Sequence, residues 1–193
     1  MARQLLVALA TSVILFLSIS STIASDSPAT SFVVTTCNEA TYTDLCLNTL
    51  LPQADRINGD DKKATRLTIS AVLPQVQSTA DSINHLSEQP QLWTSEVNAL
   101  VQCDDDITGT FTGVTGALQA TNHLGGGTKA DKESKRLSMV NNVKTVTNAI
   151  NTCTANLQQA KARENVISRV HEATQQLVEL ATNAVDLIHH MEF

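Results

Sequence analysis

Between Val97 and Leu118 the apolar residues recur at alternating intervals of three and four, and this spacing constrains the chain more than any other feature. Val97, Leu100, Ile107, Phe111, Val114 and Leu118 fall on one stripe of an α-helix. Cys103 lies beside that stripe, placed to reach a neighbouring helix. Three other long segments carry the same period. Ile69, Val72, Val76, Thr79, Ile83 and Leu86 mark a helix over about 62–87, with Pro74 inside it to kink or split it near Leu73. Met139, Val143, Val146, Ile150, Cys153 and Leu157 mark one over about 129–160, whose charged start at 129–136 reads as a solvated first turn or loop. Val166, Val170, Ala173, Leu177, Leu180, Ala184 and Leu187 mark the last, over about 163–188. No run of alternating β-branched residues is bounded by turns, so the expected class is all-α. Four amphipathic segments with short connections predict an up-down-up-down four-helix bundle over 59–193.

Two segments precede the bundle. Residues 1–24 read as a secretory signal peptide. Arg3 is the only charge, Leu5 to Leu17 is apolar apart from Thr11 and Ser12, and Thr22-Ile23-Ala24 offers small residues for cleavage. The apolar run is too short for a spanning helix, and no later segment is apolar enough to cross a bilayer. Residues 25–58 read as a helical hairpin: a loose leader to Thr30, a short piece ending near Cys37, a turn over 38–43, and a helix limited by Pro52. Asn58-Gly59-Asp60-Asp61 then makes a turn whose acids suit the start of the next helix.

Export makes disulfides the natural use of the four cysteines, Cys37, Cys46, Cys103 and Cys153. Three connectivities are open. Pairing Cys37 with Cys46 closes a short local loop, and Cys103 with Cys153 then joins two long helices. A zinc site fails on spacing, because there is no Cys-x-x-Cys and no His near either pair.

Charge and composition exclude several functions. The whole chain carries a net charge of −6, one unit more negative without Arg3, which argues against nucleic acid and anionic membrane as partners. Aromatics make up only 3%, with Tyr42 and Trp93 the sole Tyr and Trp, which leaves little for a sugar-binding cleft. The five histidines, His85, His123, His171, His189 and His190, pair with no nucleophile motif. Asp104-Asp105-Asp106 lacks the other ligands of a calcium loop, and Gly125-Gly126-Gly127-Thr128-Lys129 lacks the spacing of a phosphate cradle. No catalytic residue, metal site or cofactor is expected. Gly109, Gly113 and Gly116 project onto the outer face of the second long helix. They read either as tolerated weak points or, with Thr112, as a smooth face against which another backbone docks.

The cysteine framework carries a resemblance. Cys37-Asn-Glu-Ala-Thr-Tyr42-Thr-Asp-Leu-Cys46 resembles the opening signature of the plant invertase and pectin methylesterase inhibitor family. Ala99-Leu-Val-Gln-Cys103-Asp104, Val146-Thr-Asn-Ala-Ile150-Asn-Thr-Cys153 and Leu180-Ala-Thr-Asn183-Ala-Val-Asp-Leu187-Ile188 resemble its later ones, in order along the chain. The resemblance implies a four-helix bundle with an N-terminal hairpin, and disulfides joining the first cysteine to the second and the third to the fourth. It implies a secreted protein of the apoplast or cell wall that blocks the substrate cleft of a pectin methylesterase or an invertase. Two departures stand out. The text after the third cysteine, Asp104 to Gly109, lacks the family's usual Tyr. Where invertase inhibitors carry Pro-Lys-Phe, this chain has Ala160-Lys161-Ala162-Arg163, which favours pectin methylesterase as the target. The chain ends at Phe193 without room for a catalytic domain, so a stand-alone inhibitor is expected. A non-inhibitory bundle, serving in wall or pollen structure or carrying an apolar ligand, is the alternative from a different class. The partner-contact residues expected on the smooth face are Gly109, Thr112, Gly113 and Gly116.

Overall fold

The computed structural model describes residues 27–192. The expected signal peptide at 1–24 lies outside them. The described chain contains α-helices and short 3-10 turns and no strand. Helix α1 (Pro28–Cys37), α2 (Thr43–Leu50) and α3 (Ala54–Ile57) form the N-terminal hairpin, and α4 (Asp61–Ser87), α5 (Thr94–Ala120), α6 (Lys129–Gln159) and α7 (Glu164–His190) form the bundle. Each long helix packs along its sequence neighbours, and α7 closes the ring against α4. The up-down-up-down bundle expected from the four stripes is therefore the architecture found.

Local chemistry accounts for the helix starts. Ser27 caps α1 by accepting from the Thr30 N–H at 3.1 Å, and Pro28 stands where a missing N–H does no harm. The helix thus begins inside the stretch expected to be a loose leader. Asp60 Oδ1 accepts from the N–H groups of Lys62 and Lys63 at the start of α4, after a turn in which Asn58 and Gly59 have positive φ. Thr128 and Asp131 cap α6 reciprocally, and the two hydrogen bonds to Thr128 hold the Asp131 carboxyl below its usual range. The charged start of α6 is regular helix, not loop. Lys135 and Arg136 there turn to carbonyls at two other helix ends: Lys135 Nζ donates to His123 O at 2.7 Å, and Arg136 donates to His189 O and Met191 O. Pro74 neither splits nor ends α4. It lies on the exposed side, where the carbonyl it leaves unbonded is near water.

One core runs through the four long helices, and a smaller one joins the hairpin to Ala64 and Leu187. The expected stripes of α4 and α6 are buried throughout. The α5 stripe is rotated from expectation. Its buried residues are Glu96, Ala99, Leu100, Cys103, Ile107, Thr110, Val114 and Ala117. Cys103 therefore lies in the seam, not beside it, while Phe111 is 45% exposed and Val97 and Leu118 are half-buried. Among the described residues the core holds no aromatic ring; it is built from aliphatics, Ala and Thr. Two buried threonines close on their own helix, Thr110 Oγ1 donating to Ile107 O at 2.7 Å and Thr68 Oγ1 to Ala64 O at 3.1 Å, while Thr65 and Thr79 of α4 donate across to Leu187 O and Ala173 O of α7 at 3.4 Å. Leu124, in the turn after α5, is fully buried and joins the main core at one end of the bundle.

Candidate partner surface

The hairpin covers the α4–α7 side of the bundle, which leaves the α5–α6 side open. Cys103 and Cys153 are bonded across that side with their Cα atoms 4.7 Å apart, and Cys37 is bonded to Cys46 in the hairpin. Beside the long-range disulfide runs an open groove of about 630 Å³. Amides and hydroxyls line it, Ser95, Asn98 and Gln102 from α5 and Thr152, Asn156 and Gln159 from α6, with the methyls of Ala99 and Ala160 between them. Asp106 closes it, accepting from Gln102 Nε2 at 3.1 Å. Such a lining offers hydrogen bonds in both directions and no reactive group.

The groove ends at a clasp that joins the α4–α5 and α6–α7 loops. Glu96, in the first turn of α5, has no exposed side-chain surface. Its carboxylate accepts four hydrogen bonds, from the Trp93 N–H at 2.9 Å, the Arg163 N–H at 2.9 Å, Arg163 Nε at 3.0 Å and Arg163 Nη2 at 2.7 Å. Arg163 Nη2 also donates to Gln91 O at 2.8 Å, and the guanidinium lies 4.8 Å from the centre of the Trp93 ring. The Arg163 side-chain bonds do most to pull the Glu96 carboxyl down, to about 2. Burial opposes them, and the backbone N–H groups of Arg163 and Trp93 reinforce them. The same bonds raise the Arg163 pKa. Neither Thr94 nor Ser95 caps α5 through its side chain; Trp93 occupies the cap position and Glu96 reaches back to its N–H.

A second clip fixes the hairpin turn. Asn183, fully buried in α7, accepts from the Tyr42 N–H at 2.9 Å and donates through Nδ2 to Tyr42 O at 2.9 Å. Asp186, one turn on, accepts from the Thr41 N–H at 2.8 Å.

The expected contact residues divide. Gly109 and Thr112 are exposed, and a Cβ on Gly109 would meet nothing within 4 Å. Gly113 and Gly116 are not on the outer face. A Cβ on Gly113 would stand 3.0 Å from Asn142 O and from Thr145 Oγ1, and one on Gly116 would stand 3.3 Å from Asn142 Nδ2. What docks against these glycines is the protein's own α6, through its backbone at Gly113 and through the Asn142 side chain at Gly116. The disulfide sets α5 close to α6 at one level, and the small residues let the helices stay close two to three turns further along. On the opposite flank of α5, burial does most to raise the Asp104 carboxyl, followed by the charges of Asp105 and Asp81. Glu96, Arg163 and Asn183 carry the geometry of the site and were not expected to. A carboxylate in a first helical turn reads as an ordinary dipole-favoured acid, and its partner lies 67 residues away.

Among the described residues no helix is long and apolar enough to cross a membrane, and no group of three or more His, Cys, Asp or Glu is placed to hold a metal ion. A small all-α bundle, pinned by two disulfides and presenting an open polar groove, has the make-up of a protein that acts by occupying another surface. The chain belongs to the plant invertase/pectin methylesterase inhibitor family, whose model matches residues 31–187. Members of this family are inhibitors of plant enzymes and not enzymes themselves. Two Arabidopsis thaliana proteins are similar to it. Pectinesterase inhibitor 4 is 24% identical over 83% of this chain and 81% of its own length. Pectinesterase inhibitor 10 is 24% identical over 82% of this chain, which spans 50% of that protein. No solved structure is a significant match.

Proposed function

We propose that the protein is an exported inhibitor of a pectin methylesterase and that its open α5–α6 side lies over the enzyme's substrate cleft. The observation that carries the target is the pairing of two relatives, both named pectinesterase inhibitors, with a loop that departs from the invertase-associated sequence. Where Pro-Lys-Phe would stand, Arg163 is turned inward and spent on Glu96. The surface comprises the amide groove with Gly109 and Thr112 beside it. The chain's net charge of −6 favours encounter with a basic partner. Because the Glu96 carboxyl is held at about 2, the clasp stays ionised in a mildly acidic extracellular medium.

Titration of the purified protein against a panel of plant pectin methylesterases and of cell-wall and vacuolar invertases, at mildly acidic pH, tests this. The expected result is stoichiometric loss of methylesterase activity with invertase untouched. Loss of invertase activity alone would reassign the target, and no loss in either panel would reject inhibition. A fluorescent fusion of the whole chain recovered in the wall space supports export; retention inside the cell counts against it.

A further inference from the structure

Trp93 is the only tryptophan in the chain and is 53% exposed, although it stands at the junction where Glu96 accepts four hydrogen bonds. The junction needs little from its side chain. The N–H that bonds Glu96 is backbone and would be supplied by any residue but proline. The loops are joined by Glu96, Arg163 and Gln91, none of which requires an indole. What the clasp does to Trp93 is fix it. Its backbone is bonded to Glu96, and one face of its ring is backed by a guanidinium held in place by the same carboxylate. The other exposed large apolar residues of α5, Val101 and Phe111, project from the middle of the helix. Trp93 instead caps the helix start, two residues before Ser95, which lines the end of the groove and donates to Ala160 O at 3.4 Å.

A rigid, half-exposed tryptophan set beside a polar surround is the arrangement that concentrates binding energy at protein interfaces. Holding the ring in its bound orientation beforehand removes the ordering cost on association. We infer that Trp93 is the anchor of the interface with the target enzyme, that Glu96 and Arg163 are its positioning residues, and that the amide groove forms the polar rim. This rests on the proposed inhibitory reading. The occupant that fits is the floor of a carbohydrate-binding cleft. Such clefts present aromatic faces that stack on sugar rings and polar groups that bond sugar hydroxyls. A flat indole followed by a row of amides and hydroxyls offers both of these a substitute for a sugar chain.

The test compares wild type, W93A, W93F, E96Q and the V101A/F111A double variant against a methylesterase that the wild type inhibits. W93A is expected to weaken inhibition at least 30-fold with its melting temperature little changed, and W93F to recover part of the loss. E96Q is expected to speed dissociation while leaving association near the wild-type rate, a kinetic split that general destabilisation does not produce. The double variant is expected to inhibit normally. In protein labelled with 5-fluorotryptophan, the single fluorine resonance should shift in the complex. If W93A inhibits within threefold of wild type, or if V101A/F111A loses inhibition instead, the anchor assignment is wrong while the inhibitory function stands. A wild type that inhibits no methylesterase or invertase overturns the function and the anchor together.

Discussion

The two ends of the bundle hold their loops by different chemistry. At the start of α5 and end of α6, a buried carboxylate and a guanidinium draw two loops together, with Cys103–Cys153 about two turns below. At the other end of the bundle, toward the end of α7, a neutral side-chain amide holds the hairpin turn through both polar groups of one residue, with Cys37–Cys46 beside it. Each tie keeps a ring of the aromatic-poor chain partly in solvent, Trp93 at one end and Tyr42 at the other. The amide tie is satisfied at any pH and tolerates its burial as long as both bonds are made. The ionic tie is stronger pair for pair but depends on the carboxylate staying charged and on neither partner being lost.

The largest effect should come from breaking the ionic tie. E96Q leaves the guanidinium facing a neutral amide and two backbone donors imperfectly matched. A loss of about 3 kcal/mol is expected, at the low end for a buried pair because Arg163 is a third exposed. Urea unfolding of both proteins at neutral pH measures it. The pH dependence follows from the direction of the Glu96 shift. A carboxyl whose folded value is depressed adds stability above about pH 4.5, and the contribution drains away as pH falls toward about 2. The gap between wild type and E96Q should therefore narrow across that window. Parallel stability curves would mean that the clasp is not the source.

The amide tie should fail by a smaller amount. N183L keeps the branched side-chain skeleton but leaves the Tyr42 N–H and C=O without their partner, costing about 2 kcal/mol. An amide does not titrate, so this loss should keep the same size between pH 7 and pH 3, in contrast to that of E96Q. Hydrogen exchange should locate the loosening at residues 41–43. Exchange that rises equally across α5 and α6 would show that Asn183 supports the whole bundle and not the turn.

These ties mark where the sequence is hard to read. The four long helices are legible to within a residue or two, because aliphatics repeat on one stripe and Gly, Pro or cap residues sit at the ends. The phase of α5 is not. Phe111 and Leu118 outrank Thr110 and Ala117 in hydrophobicity, yet Thr110 and Ala117 are the buried pair, and Thr110 satisfies its hydroxyl on Ile107 O. Glu96 and Arg163 are invisible as a pair because nothing local distinguishes a buried Glu from a solvated one in a first helical turn. Asn183 is visible only as part of the family signature, whose text gives no hint that the amide brackets Tyr42. In each case the missing information is a contact between distant segments, and periodicity reports only which face of a helix is apolar.

The glycines of α5 give the smallest and most local contrast. Alanine in place of Gly109 meets nothing and gains helix propensity, so G109A should stabilise the protein by about 1 kcal/mol. Gly113 offers the same gain, but its new methyl carbon would stand 3.0 Å from the backbone carbonyl of Asn142, which cannot swing aside as a side-chain tip can. The helices must part slightly at a level two to three turns from the disulfide, and that displacement spreads to the packing of Val114 and Ala117. G113A should therefore be destabilising by about 1 kcal/mol, within the low range for overpacking. Thermal unfolding of the two variants side by side should move the midpoint in opposite directions. If both rise, α6 yields at Asn142 without resistance, and the close approach of the two helices is owed to the disulfide alone.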